Sequence, residues 1–175
     1  IKDNRVKING AVPKVGSKVF PNDKVTVDNE IIDKKHENYI YIAFNKPRGI
    51  VCTTDTKREK NNIIDFIAHP KRIFPIGRLD KDSEGLIFLT SDGDIVNKIL
   101  RSGNFHEKEY IVTVNRPIDN KFIEKMSNGI PILGTLTKDC YVKKLANKKF
   151  QIILTQGLNR QIRRMCECLN YEVKK

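Results

Sequence analysis

No apolar run in the sequence approaches the roughly 20 residues of a spanning helix, and no strongly amphipathic basic helix opens it. A membrane partner is therefore not expected. The four cysteines, Cys52, Cys140, Cys166 and Cys168, form no C-x-x-C pair and have no histidine near them at zinc-finger spacing. They read as reduced thiols, and Cys166 and Cys168, separated by one residue in a helical pattern, point to different sides. With no secretory leader at the start, a reducing cytoplasm is the expected compartment. A phosphate-binding loop, a dinucleotide motif and a metal cluster are all missing. Internal repeats and low-complexity segments are missing too. The start at Ile1 and the end at Lys174-Lys175, in mid-pattern, suggest a chain incomplete at both ends.

What is there is basic. Thirty-three Lys and Arg stand against 21 Asp and Glu, a formal charge of +12 and a pI near 9.6. Such a surface attracts polyanions, and nucleic acid is the natural partner; an ordinary lysine-rich solubilising surface is the plainer alternative. The 175 residues suffice for one well-buried domain and a small appendage. With 39% hydrophobic residues and charge spread along the chain, the protein should fold, and a monomer is expected.

Residues 5–30 alternate short β-like pieces with turns, Arg5-Val-Lys-Ile-Asn-Gly10 and Lys24-Val-Thr-Val-Asp28 among them. The polar stretch at 34–38 reads as a linker, dividing a unit over 1–33 from a main domain over 39–175. In the latter, strands are expected at 39–44, 50–53, 108–114, 135–144 and 149–155, and 86–90 reads as a buried apolar run. Helices are expected at 63–68, 94–101 with Asp92 as N-cap, 120–127 and 159–169. The last puts Ile162, Met165, Cys166 and Leu169 on one stripe, with Arg160, Arg163, Arg164 and Glu167 opposite. An α+β fold follows, with a mixed, mainly antiparallel sheet flanked by short helices. The histidines, His36, His69 and His106, fall in linker or loop and receive no role.

The densest cluster of unusual residues is Gly77-Arg-Leu-Asp80-Lys-Asp-Ser-Glu84-Gly85-Leu86. Asp80, Asp82 and Glu84 match the spacing of an EF-hand loop's first ligands, but Ser91 stands where its bidentate glutamate belongs. Asp80 with Glu84 could make a glycosidase-like pair, although nothing in the sequence fixes their separation. A polar turn, with glycine at a special dihedral, accounts for each residue singly.

Taken whole, Gly-Arg-Leu-Asp-x-x-Ser-Glu-Gly-Leu followed by Thr-x-Asp-Gly resembles the signature of the RsuA-type RNA pseudouridine synthases. Lys46-Pro-Arg-Gly49 resembles that family's upstream turn, Lys108-Glu-Tyr110-Ile-Val112 its tyrosine strand, and Gly157-Leu-Asn-Arg-Gln-Ile-Arg-Arg-Met165 its C-terminal motif. Residues 5–28 are similar to the second half of an S4 RNA-binding domain, so residues 1–33 are expected to be a partial S4-like unit. The wording of 97–114, of Pro131-Ile-Leu-Gly-Thr135 and of the final motif is nearest to the RluF branch, which modifies large-subunit ribosomal RNA.

The resemblance implies an isomerase that converts a specific uridine to pseudouridine without cofactor or metal. Large-subunit (23S) ribosomal RNA is the first expectation, with transfer RNA and small-subunit ribosomal RNA behind it. Asp80 is implied as the nucleophilic carboxylate, attacking either the ribose C1′ or the base C6. Burial favours a neutral carboxyl group, so a fixed cation is needed, and the resemblance assigns that place to Arg163. A local pair with Glu167 is the competing role for Arg163. Tyr110 matches the tyrosine that packs against the target base and takes part in removing the C5 proton; a packed core tyrosine is its competitor. Arg78 matches a residue that enters the stack when the uridine flips out, with a phosphate contact or a surface ion pair as the plainer reading. Lys46, Arg48, Arg160 and Arg164 are expected on phosphates. Asp80, Arg163 and Tyr110 should line one cleft. A noncatalytic S4-type RNA-binding or ribosome-assembly module is the alternative from another class, and a carbohydrate hydrolase needing both Asp80 and Glu84 is a third.

Overall fold

The computed structural model describes residues 1–32, 38–100 and 106–175. The linker expected at 34–38 lies, apart from Asn38, outside the described residues, as do His36 and the final residue of the helix expected at 94–101. The chain divides into two compact units, Ile1–Asn38 and Tyr39–Lys175.

The smaller unit is an antiparallel sheet of β1 (Val6–Ile8), β2 (Val25–Val27) and β3 (Glu30–Ile31), in that order. Its turns use residues that tolerate positive φ. Asn9 and Gly10 reverse the chain after β1, and Asp28 and Asn29 link β2 to β3. Side chains fix the register: the Lys24 N–H donates to Asn9 Oδ1 at 2.9 Å, and Arg5 grips Asp28 through Nε and Nη2 at 2.6–3.1 Å.

The larger unit opens with β4 (Tyr41–Lys46), followed by α1 (Ile63–Ile67), β5 (Phe74–Ile76), β6 (Gly85–Thr90) and α2 (Gly93–Leu100). These build an antiparallel sheet ordered β4-β6-β5. Caps set the helix starts: the Asp65 N–H donates to Asn62 Oδ1 at 2.8 Å, and the Asp94 N–H to Asp92 Oδ1 at 3.0 Å. Ile63, Ile73, Ile87, Leu89 and Cys52 form the core of this half.

The second half contains β7 (Lys108–Thr113), α3 (Asn120–Ser127), β8 (Pro131–Ile132), β9 (Thr135–Leu136), β10 (Tyr141–Ala146), β11 (Lys149–Leu154) and α4 (Gln161–Cys168). A second antiparallel sheet runs β10-β11-β7, and β8-β9 is a separate hairpin. Val112, Phe150 and Ile152 on one face of that sheet pack with Phe122 and Met126 of α3 and Met165 and Cys166 of α4. The architecture is α+β, with the named strands paired antiparallel and the helices short, as the sequence pattern indicates.

Three local expectations need correction. Residues 86–90 are not buried throughout, because the sheet covers one face only: Ile87 and Leu89 point inward while Leu86 and Phe88 are 64% and 48% exposed. Residues 50–53 supply a single bridge, Val51 to Asn62, and no strand. The strand expected over 135–144 is broken, because the Thr137 and Cys140 N–H groups turn to Ile130 O and Ser127 O, at 3.1 and 2.9 Å, instead of extending the ladder.

Candidate active site

The Asp80 loop leaves β5 through Gly77, at φ +85°, and returns to β6 through Gly85, at φ +128°. Both are backbone conformations that favour glycine. Between them Leu79 packs into the first core, and the Ser83 N–H closes a turn on Asp80 O at 3.0 Å. The loop is braced from behind by residues 46–52. The Gly49 N–H donates to Lys81 O at 2.7 Å, and the Leu79 N–H reaches Cys52 Sγ at 3.4 Å. Asp80 is thus held on both sides, with its carboxylate 34% exposed.

From the second half, α4 presents Arg163, whose Nε lies 3.8 Å from Asp80 Oδ2 with the guanidinium side chain 15% exposed. At that distance the contact is an ion pair and not a formed hydrogen bond. Tyr110 lies half-buried on the inner face of β7. Burial raises its phenol pKa and the negative charge of Asp80 raises it further, which keeps it neutral and places it within the field of that carboxylate. The structure therefore brings Asp80 and Arg163 together where the two halves of the larger unit meet, with Tyr110 on the inner face of β7 within the field of Asp80.

The other expected residues scatter. Arg78, Arg48 and Arg160 are exposed, and Arg48 contributes to holding the Glu84 carboxyl below its ordinary pKa, behind the main cause, a hydrogen bond from Lys175. Glu84 is exposed and pairs with Lys175 at 2.6 Å. Arg164 is partly buried, with Nε on Asn159 O at 3.1 Å and Nη2 3.4 Å from Asn159 Oδ1. Among the described residues, no group of three or more His, Cys, Asp or Glu is placed to hold a metal.

Lys46 is a correction. Its side chain is fully buried, and Nζ donates to Pro47 O and Ile50 O, each at 2.9 Å. An ammonium so enclosed cannot be a phosphate contact. Burial lowers its pKa, against which Asp80, Asp82 and Glu84 act as carboxylates in its surroundings. Lys46 holds the turn over 46–50, whose Gly49 N–H in turn braces the Asp80 loop. The sequence carried the signal, since Ile42, Phe44 and Lys46 share one period-two face of β4 and the first two pack on the core.

Gln161 was missed as well. It is 4% exposed, and its Oε1 accepts the Leu158 N–H at 3.0 Å while its own N–H donates to Leu158 O at 3.2 Å. The reciprocal pair fixes the turn ahead of α4, and hence the direction in which Arg163 leaves the helix. A glutamine on the stripe of Leu158, Met165 and Leu169 was its only trace in the pattern.

Residues 40–168 match the family described as RNA pseudouridylate synthase. The chain is 58% identical over 176 residues to the dual-specificity RNA pseudouridine synthase RluF of Escherichia coli (strain K12), covering 100% of this chain and 60% of that protein. It is 33% identical over 183 residues to the ribosomal large subunit pseudouridine synthase B of Bacillus subtilis (strain 168), covering 100% of this chain and 74% of the relative. Among solved structures, a crystal structure of pseudouridylate synthase superposes with a TM-score of 0.73 at 27% identity, covering 99% of this chain and 76% of that one. The chain spans about three fifths of the length of the RluF relatives it matches, 60% in the first of them.

Proposed function

The chain belongs to the RNA pseudouridylate synthase family, and from that premise we propose that it isomerises a uridine in RNA to pseudouridine, with Asp80 as the nucleophile. The observation that carries the reading is the Asp80–Arg163 ion pair, with the phenol of Tyr110 within the field of Asp80. The reaction breaks the N1–C1′ bond, turns the detached base and rejoins it through C5. Atoms and electrons balance within the nucleoside, so a nucleophile, a pocket and charge stabilisation suffice.

Each residue then has a task. Asp80 supplies the attacking carboxylate. Arg163 offsets the desolvation of that carboxylate when RNA closes over the site. Tyr110 forms the wall against which the base packs; its raised pKa favours packing and hydrogen bonding over proton abstraction near neutral pH. Arg78, exposed at the mouth of the loop, fills the stack vacated by the flipped uridine, and Arg48, Arg160 and Arg164 hold phosphates.

Large-subunit ribosomal RNA is the substrate we assign first, in keeping with the name of the Bacillus subtilis relative, a ribosomal large subunit pseudouridine synthase. The basic strand unit, residues 1–33, serves as a partial S4-like RNA-binding element, joined through 34–38 to a catalytic domain over 39–175. The protein acts as a monomer in the cytoplasm, where Cys52, Cys140, Cys166 and Cys168 remain free thiols.

The test is pseudouridine formation on in vitro transcribed large-subunit ribosomal RNA by wild type and Asp80→Asn. Turnover is expected to disappear in the variant while RNA binding changes less than threefold. Turnover by Asp80→Asn at the wild-type rate would overturn the assignment. Absence of turnover in both, with binding retained, would favour a noncatalytic RNA-binding module.

A further inference from the structure

The β8–β9 hairpin reverses over two residues, Leu133 and Gly134, at φ +51° and +72°. A turn of this kind is the natural place for Asn-Gly, since both positions need positive φ. A leucine there is strained and gains no burial, being 52% exposed. The other non-glycine residues at positive φ among those described are asparagines, aspartate, alanine and arginine; Leu133 is the one large apolar side chain.

The hairpin is mounted rigidly. The Ile130 N–H donates to Thr137 Oγ1 at 2.9 Å, the Thr137 N–H donates back to Ile130 O at 3.1 Å, and Ile130 and Ile132 are buried. At Gly129 the strands close so tightly that a Cβ would stand 2.6 Å from Thr137 O. Its position relative to α4 is equally defined. Pro131 lies by the last turn of the helix, where Cys168 Sγ contacts Pro131 O at 3.6 Å, and Leu133 borders the same depression as Arg164 and Glu167. The tip thus sits beside the helix that carries Arg163 to Asp80, next to a guanidinium steadied on Asn159.

An exposed apolar tip beside a steadied cation fits one class of partner: a stacked nucleic acid, which offers base faces to the leucine and phosphates to the arginine. Only some of the five N–H donors of Arg164 are used on Asn159, so others remain for phosphate oxygens. We propose that the β8–β9 hairpin is a wedge for substrate RNA. Leu133 presses on a base face beside the target uridine while Arg164 and Arg160 hold the adjoining phosphates. The backbone strain at Leu133 is retained because the tip must be apolar. The inference rests on the activity proposed above and adds a determinant of which RNA the site accepts.

Asparagine at 133 suits the turn better than leucine, so Leu133→Asn separates strain from function. In the full-length protein, its melting temperature is expected to equal or exceed that of wild type. Its KM for in vitro transcribed large-subunit ribosomal RNA is expected to rise about tenfold, equivalent to 1.4 kcal/mol. Leu133→Met, which keeps an apolar tip, should remain within threefold of wild-type KM. Wild-type KM and kcat in Leu133→Asn would overturn the wedge and leave the activity standing. Equal losses in both variants, or a fall in melting temperature in Leu133→Asn, would overturn it too, by showing a purely structural leucine. An inactive wild type on that transcript would overturn the activity, and the wedge with it.

Discussion

Arg163 on α4 stands 3.8 Å from Asp80 on the β5–β6 loop, an ion pair that links the two halves of the larger unit. Each half has its own hydrophobic core, so the pair sits at a seam and not inside either core. If Asp80 is the nucleophile proposed above, its place at the seam leaves it reachable by an extruded base, with its cation supplied from an independently packed helix.

Removing that cation should be costly to catalysis. Arg163→Ala is expected to lower kcat/KM by about 10²–10³-fold, the range for deleting one preorganised charge-stabilising group. Arg163→Lys keeps a charge but loses the planar fork, and should recover part of the loss. Steady-state kinetics on the ribosomal transcript read both. An Arg163→Ala enzyme within threefold of wild type would remove Arg163 from the mechanism.

Lys46 should behave as a strut. Lys46→Met leaves the part-buried carbonyls of Pro47 and Ile50 without their donor and removes a buried ammonium, and a destabilisation of about 2–4 kcal/mol is expected in denaturant unfolding. The salt dependence of RNA affinity should not change, since no phosphate contact is lost. Arg160→Ala, at an exposed position, should reduce the log–log salt slope by about one instead. A reduced slope in Lys46→Met would restore Lys46 to the RNA interface.

Tyr110 predicts an alkaline effect of definite sign. Its folded pKa is raised, by burial first and Asp80 second, so the neutral phenol is favoured in the native state. That contribution is complete below the unfolded phenol pKa of about 10 and is lost as pH rises through the higher folded value. Relative to Tyr110→Phe, wild type should lose melting temperature above pH 10, with a constant difference between pH 7 and 9. Parallel curves across the whole range would contradict this account of the tyrosine.

What the sequence made legible, and what it did not, follows physical lines. The helix at 120–127 was visible because Phe122, Ile123 and Met126 recur at helical spacing; the Asp119 cap that starts it is a feature of the structure. The inward face of β7 was visible because its alternation is regular over Tyr110 and Val112. The inward turn of Lys46 was obscured by its charge, which ordinarily marks a surface residue although its position on β4 is on the core face. Arg164 looked like a free basic residue because its bond to Asn159 depends on the shape of the preceding turn, which Gln161 sets through a contact that periodicity does not display. The exposure of Leu86 and Phe88 depends on which sheet face is covered, a tertiary fact that a run of apolar letters does not encode.

The most direct test is to map pseudouridines across cellular RNA in a strain lacking the gene, restored with wild type or with Asp80→Asn. The account predicts at least one uridine, in large-subunit ribosomal RNA, that is isomerised with wild type and unmodified with the Asp80→Asn variant. An identical pseudouridine map for the deletion, the wild type and the variant would contradict it.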